Sequence, residues 1–249
     1  KYGAEPLRYW AASSKLSEDM EYQEKEIISG KKLVNKILNA SNFVFMNFGN
    51  YKPKKIKLLE TDRLFLTRLN ELIEKITKSF DNYEFHLAKS ETDNFFWQTF
   101  CANYLEIVKK RVYSGTKEEK ESALYVLYNS LLTLMKLFAP IVPFITEEVY
   151  KNHFMKNEKD KSIHISNWPK KFSVVSKKDD DENFKILIDT IGKIRQEKSQ
   201  AKKPMNSEII LTLKKTEKKK IESLLDDLKS VTNAREIREG KFGVEFIQD

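Results

Sequence analysis

The chain has 249 residues, 40% hydrophobic and 33% charged, and its formal net charge of +8 favours an anionic partner. A single cysteine, Cys101, excludes an internal disulfide framework and a cysteine-built zinc cluster, and fits a reducing, cytoplasmic setting. No run of about 18 apolar residues predicts a transmembrane helix, and only 7 Gly and 6 Pro argue for helices over an all-β fold.

The chain opens on Lys1 without an initiator methionine or a signal peptide, so it reads as a piece of a larger protein. Pro6 sits where a first helical turn tolerates proline, and Leu7, Tyr9, Trp10 and Ala11 follow in a short helix. Residues 13–20 read as a loop. A long helix is expected over residues 22–50, broken near Pro53. Thr61 or Asp62 can cap a third helix to about Asn82, with Leu64, Phe65, Leu69, Leu72, Ile73 and Ile76 at helical spacing. Thr92 can cap a fourth through Phe95, Phe96, Phe100, Tyr104, Leu105 and Val108. A fifth over residues 118–138 stops at Pro140, and Pro143 opens a short sixth through Tyr150.

Beyond this the pattern changes. Residues 163–169 read as a short extended piece and residues 171–181 as a linker. A helix is expected over 182–200, a strand over 209–213 and a helix over 217–231. Two strands over 234–238 and 244–247 are turned by the glycines at 240 and 243. The expected fold is therefore mainly α: a lead segment (1–21), a helical bundle (22–170), the linker, and a small α/β module of one helix followed by strand, helix, strand and strand (182–249).

One stretch carries an unusual pattern. At about 100° per residue, Leu33, Val34, Ile37, Leu38, Ser41, Val44, Phe45 and Phe48 form a continuous apolar arc. Opposite it lie Lys32, Lys36, Asn39 and Phe43. Cations along phosphates and a flat ring beneath a base are how proteins hold single-stranded nucleic acid, and this stripe has both. An equal alternative is that Phe43 packs under a neighbouring helix. The tail is also basic, through Lys193, Arg195, Lys198, Lys202, Lys203 and the lysines of 214–220, although such runs are usually solvated faces.

Catalytic chemistry has little support. His86, His153 and His164 lack metal-ligand spacing, and no phosphate-cradling glycine loop is present. The acidic run 179–182 reads as the favourable N-terminal charge of the next helix rather than a cation site.

Three ordered segments carry a resemblance. Tyr2-Gly-Ala-Glu-Pro-Leu-Arg-Tyr-Trp10 resembles the stretch after the KMSKS loop of class I aminoacyl-tRNA synthetases. Ala139-Pro-Ile-Val-Pro-Phe-Ile-Thr-Glu-Glu-Val-Tyr150 is similar to a motif of the anticodon-binding bundle in the valine, isoleucine and leucine enzymes. Ser162-Ile-His-Ile-Ser-Asn-Trp-Pro169 resembles the extended piece that follows it. Tyr22-Gln-Glu-Lys25, Gly30-Lys-Lys32 and Asn39-Ala-Ser-Asn-Phe43 resemble the valyl-tRNA synthetases in particular, and Lys193-Ile-Arg-Gln-Glu-Lys198 resembles the helix opening their C-terminal appendage.

The resemblance implies a C-terminal fragment without the nucleotide-binding fold, its HIGH and KMSKS signatures, or the editing domain. No catalytic residue, metal or cofactor is then expected here, while the parent enzyme uses ATP with Mg. The implied partners are the anticodon stem-loop of a valine tRNA and the catalytic and editing domains of the parent chain. Lys25, Lys32, Lys36, Asn39, Asn42 and Phe43 are the implied anticodon contacts, with Phe43 stacking beneath a base. Arg8, Lys193, Arg195 and Lys198 are implied contacts to the tRNA backbone. The tail departs from the long coiled coil of bacterial-type enzymes, which points to the archaeal or eukaryotic-like branch. Two other readings stay open: an isoleucyl-tRNA synthetase, disfavoured by the 39–43 signature, and a helical protein-interaction scaffold.

Overall fold

Helix α1 (Ala4–Ala11) and helix α2 (Glu24–Met46) meet at a glycine. A Cβ on Gly30 would lie 2.8 Å from the Pro6 Cα and 3.0 Å from the Tyr9 Cβ, so only glycine admits the observed approach. The computed structural model describes residues 2–48, 54 and 56–247. The chain then continues through α3 (Glu60–Asp81), α4 (Phe85–Asn94), a π-helical segment (Phe95–Tyr104), α5 (Leu105–Ser114), α6 (Lys117–Phe138) and α7 (Pro143–Val149). The last runs into a second π-helical turn (Tyr150–Phe154). After a 3-10 turn (Ile163–Ile165) come α8 (Asp180–Gln200), β1 (Ile209–Leu213), α9 (Lys215–Lys220), α10 (Leu225–Thr232), β2 (Ala234–Glu239) and β3 (Gly243–Phe246).

Packing divides the chain into two units. The first comprises Lys1–Ile56, Arg68–Ala102 and Leu124–Ser173; the second comprises Lys57–Thr67, Asn103–Ala123 and Val174–Asp249. The division after Ser173 falls in the expected linker. That two stretches of the helical region join the tail is visible only in the packing.

In the first unit, α2 buries Ile27, Gly30, Leu33, Ile37, Ala40, Ser41 and Val44 along one stripe. Leu69, Ile73, Ile76, Phe96, Phe100, Leu131, Phe138 and Phe154 complete a core rich in aromatic rings. The Glu5 carboxylate accepts the Phe144 amide at 2.6 Å, satisfying a first-turn N–H of α7.

In the second unit, Asp62 is fully buried and accepts hydrogen bonds from Tyr104 Oη at 2.6 Å, Arg111 Nη1 at 2.7 Å and the Ser122 hydroxyl. The Arg111 Nε lies 2.9 Å from Asp227 Oδ1, so one guanidinium joins two carboxylates. Asp180 accepts from Arg63 Nη1 at 2.6 Å and from the Lys177 amide at 2.7 Å, and the Arg63 pairing holds its carboxyl below the usual range. The acidic run at 179–182 thus opens α8, as its dipole favours. In the sheet, β1 is central, parallel to β2 and antiparallel to β3. Ile209, Leu211 and Leu213 point inward from β1, and Ile237 of β2 joins them on the buried face.

Several local expectations are corrected. Thr92 does not cap a helix: it is buried inside α4 and its hydroxyl donates to the Ala88 carbonyl at 2.7 Å. The helix starts earlier because nothing breaks the pattern from Phe85 onward. Thr61 and Asp62 are helical residues after a start at Glu60, and Asp62 serves Arg111 instead. Residues 163–165 form a 3-10 turn, capped by the Ser162 side chain on the His164 amide. The helix expected at 217–231 is split around a short 3-10 turn, Glu222–Leu224. The two last strands do not pair with each other, because the more apolar β1 lies between them. Helix α2 ends at Met46, and its expected break near Pro53 lies outside the described residues.

Candidate nucleic-acid interface

Helix α2 presents Lys25, Lys32, Lys36, Asn39 and Phe43 on one flank, since their helical angles fall within about 60° of one another. Lys25, Lys32 and Asn39 are exposed, whereas Lys36 and Phe43 are half-buried. Asn42 is exposed but stands about 100° further round the helix from Phe43. The flank is therefore a partly covered seam rather than an open face. Leu38, expected on the apolar arc, is 37% exposed, and Val34 and Phe45 are half-buried. The buried stripe is shifted toward Gly30, Ala40 and Val44 because that is the side on which α1 and α7 pack.

The Phe45 ring lies parallel to the His153 imidazole at 4.2 Å, with Phe154 edge-on at 5.0 Å and Tyr128 at 6.3 Å. Phe43 belongs to the last turns of α2, where its carbonyl accepts from the Asn47 side chain at 2.9 Å.

The cover over Lys36 comes from the helix that starts at α4. Its Trp97 ring lies 5.5 Å beneath the Lys36 ammonium. One turn before, the Asp93 carboxylate faces the Trp97 indole and the Tyr9 hydroxyl. A further turn back, the Lys89 ammonium sits 3.8 Å over the Tyr9 ring and is itself buried. Burial raises the Asp93 carboxyl and lowers the Lys89 ammonium, each partly offset by the charge of the other. Burial also pushes the Cys101 thiol up to about 12, leaving it inert. Sequence reading missed this group. Its signal was the spacing of four through Lys89, Asp93, Trp97 and Cys101, hidden once Thr92 was read as a helix start.

The four expected backbone contacts fare differently. Lys193 on α8 is exposed, 5.5 Å over the Phe242 ring. Arg195 is half-buried and donates to Asn103 Oδ1 at 3.0 Å. Arg8 is exposed, and donates to the Pro140 and Ile141 carbonyls at 2.9 and 3.0 Å. Lys198 is corrected: it is 1% exposed, and its ammonium donates to the Met205, Ser207 and Thr232 carbonyls at 2.7–2.8 Å. It has no surface to offer a phosphate. The stripe on α2 lies in the first unit, and Lys193, Arg195 and Lys198 lie in the second. Among the described residues no cluster of His, Cys, Asp and Glu could hold a metal ion, and no helix is long and apolar enough to cross a membrane.

A helical bundle with a basic, ring-bearing seam and a small sheet module defines the class: the chain belongs to the anticodon-binding domain family of tRNA ligases, whose model matches residues 62–215. Its relatives narrow this further. The valine–tRNA ligase of Rickettsia felis is 36% identical over 255 residues, covering 96% of this chain and 29% of that protein. Those of Ehrlichia ruminantium (strain Gardel) and Rickettsia canadensis are 37% and 38% identical, covering 95% and 96% of this chain and 29% and 30% of theirs. The chain spans under a third of its relatives' length.

Proposed function

We propose that this chain is the anticodon-binding portion of a valine–tRNA ligase, acting in the cytoplasm and holding the anticodon stem-loop of a valine tRNA while other domains of the parent polypeptide perform ATP-dependent aminoacylation and editing. The observation that carries the reading is the family match together with valine–tRNA ligase relatives over nearly the whole chain. In this reading Lys25, Lys32 and Lys36 meet phosphates, Asn39 and Asn42 offer amides to base edges, and Phe43 stacks beneath a base. The mixture of charge, amide and ring on one helix flank supports it, because such a surface serves a single strand better than a protein partner. Lys193 and the exposed side of Arg8 supply backbone contacts.

The deciding experiment is binding of the 249-residue chain to a valine tRNA transcript and to a copy differing only in the anticodon. Discrimination of tenfold or more supports anticodon reading. Equal binding to both would reduce the surface to a non-specific phosphate contact.

A further inference from the structure

The Lys36 ammonium differs from the other lysines of the seam in having a fixed neighbour. It stands over the Trp97 ring at 5.5 Å, and no carboxylate pairs with it among the described residues. Trp97 in turn stands beside the Asp93 carboxylate, which also faces the Tyr9 hydroxyl. Asp93 Oδ1 is buried without a hydrogen-bond partner. Tyr9 is pinned between the Lys89 ammonium on its face and Gly30 of α2. A series of contacts thus runs from α1 through α4 to a lysine on α2, all within one packing unit.

We propose that Trp97 is a positioning residue for RNA binding, holding the Lys36 ammonium over its indole face on the flank of α2, with Asp93 fixing the plane of that indole. The inference rests on the reading of that flank as anticodon-facing. A carboxylate partner would hold Lys36 equally well but would cancel its charge toward a phosphate. An aromatic face attracts the cation through its quadrupole and carries no net charge, so the full positive charge stays available. The lysine also gives up side-chain freedom before the RNA arrives, which lowers the entropy lost on binding.

The test is a double-mutant cycle read by fluorescence anisotropy with a labelled valine anticodon stem-loop. Lys36→Ala and Trp97→Leu should each weaken binding by about two- to tenfold. The double mutant should bind no more weakly than the weaker single, because Trp97 acts through Lys36. Trp97→Phe, which keeps a ring face, should lose less than Trp97→Leu. In proton NMR, the upfield ring-current shift of the Lys36 methylene beside the ammonium should vanish in Trp97→Leu. Where Trp97→Leu fails to fold, Trp97→Met, a flexible filler without a ring face, takes its place in the cycle. Losses that multiply in the double mutant, or a Trp97→Leu protein that binds as the wild type per folded molecule, overturn the inference alone. A wild-type chain that binds no stem-loop overturns the anticodon reading and this inference together.

Discussion

Replacing Phe43 and Phe45 separately tests recognition against packing two residues apart on α2. Phe45 touches His153, Phe154, Tyr128 and Phe48, with ring centres 4.2–6.3 Å away. Truncating a core phenylalanine costs about 3–5 kcal/mol, and half-burial places Phe45→Ala near 3 kcal/mol, about the lower end. Phe43 is also half-buried. Half of the roughly 1.5–3 kcal/mol for burying such a side chain gives a stability loss of about 1 kcal/mol for Phe43→Ala. Loss of a stacked base would remove about 1–3 kcal/mol of binding, a fall of about 5- to 150-fold in affinity. Urea unfolding supplies the folded fraction, and anisotropy with the valine anticodon stem-loop supplies affinity per folded molecule. Phe45→Ala should melt early and bind normally once corrected for folding; Phe43→Ala should do the reverse. A Phe43→Ala protein with wild-type affinity per folded molecule would refute base stacking by this residue.

Four further outcomes are expected. Lys32→Ala should weaken binding to every tRNA about equally and lower the magnitude of the salt slope by about 0.7–0.9, which salt titration measures. Gly30→Ala forces a methyl to 2.8 Å from the Pro6 backbone and should destabilise the fold by about 1–3 kcal/mol in a thermal melt. Arg111→Met strands the fully buried Asp62 and should cost about 3–5 kcal/mol in urea, whereas converting Asp62, Arg111 and Asp227 together to apolar residues should recover much of it. Arg63 holds the Asp180 carboxyl below its ordinary 3.8, so its contribution is complete above that pH and is lost as the pH falls through the lower folded value. Urea midpoints of Asp180→Asn and the wild type should therefore converge below about pH 4, and a constant gap down to pH 2 would disprove the linkage.

The helices and the strand β1 were legible because their apolar residues repeat with a period that one face can bury. The flank bearing Lys32, Lys36, Asn39 and Phe43 was legible for the same reason. What the pattern could not carry was depth. Leu38 and Phe45 sit at the edges of the arc, where exposure depends on which neighbour arrives. Thr92 has the chemistry of a cap, yet the same hydroxyl bonds a carbonyl four residues back when a helix runs through it. Asp62 was read as a cap for want of any way to see Arg111, 49 residues onward. Trp97 was invisible for a different reason: its value to the seam comes from a lysine on another helix.

Lys198 shows how far a tally of charge can mislead. Its ammonium has three protons and faces three carbonyls, from Met205, Ser207 and Thr232, so every donor is matched to an acceptor. A planar guanidinium spreads its five N–H donors over three nitrogens and cannot offer three from one atom, and a methionine would leave three dipoles converging on nothing. Among homologues that keep this module, arginine should be rarer at this site than at Lys202 or Lys203, which sit in solvent. The +8 of the sequence counts this lysine in full. A polyanion approaching the tail would feel that charge but could not touch the ammonium that carries it.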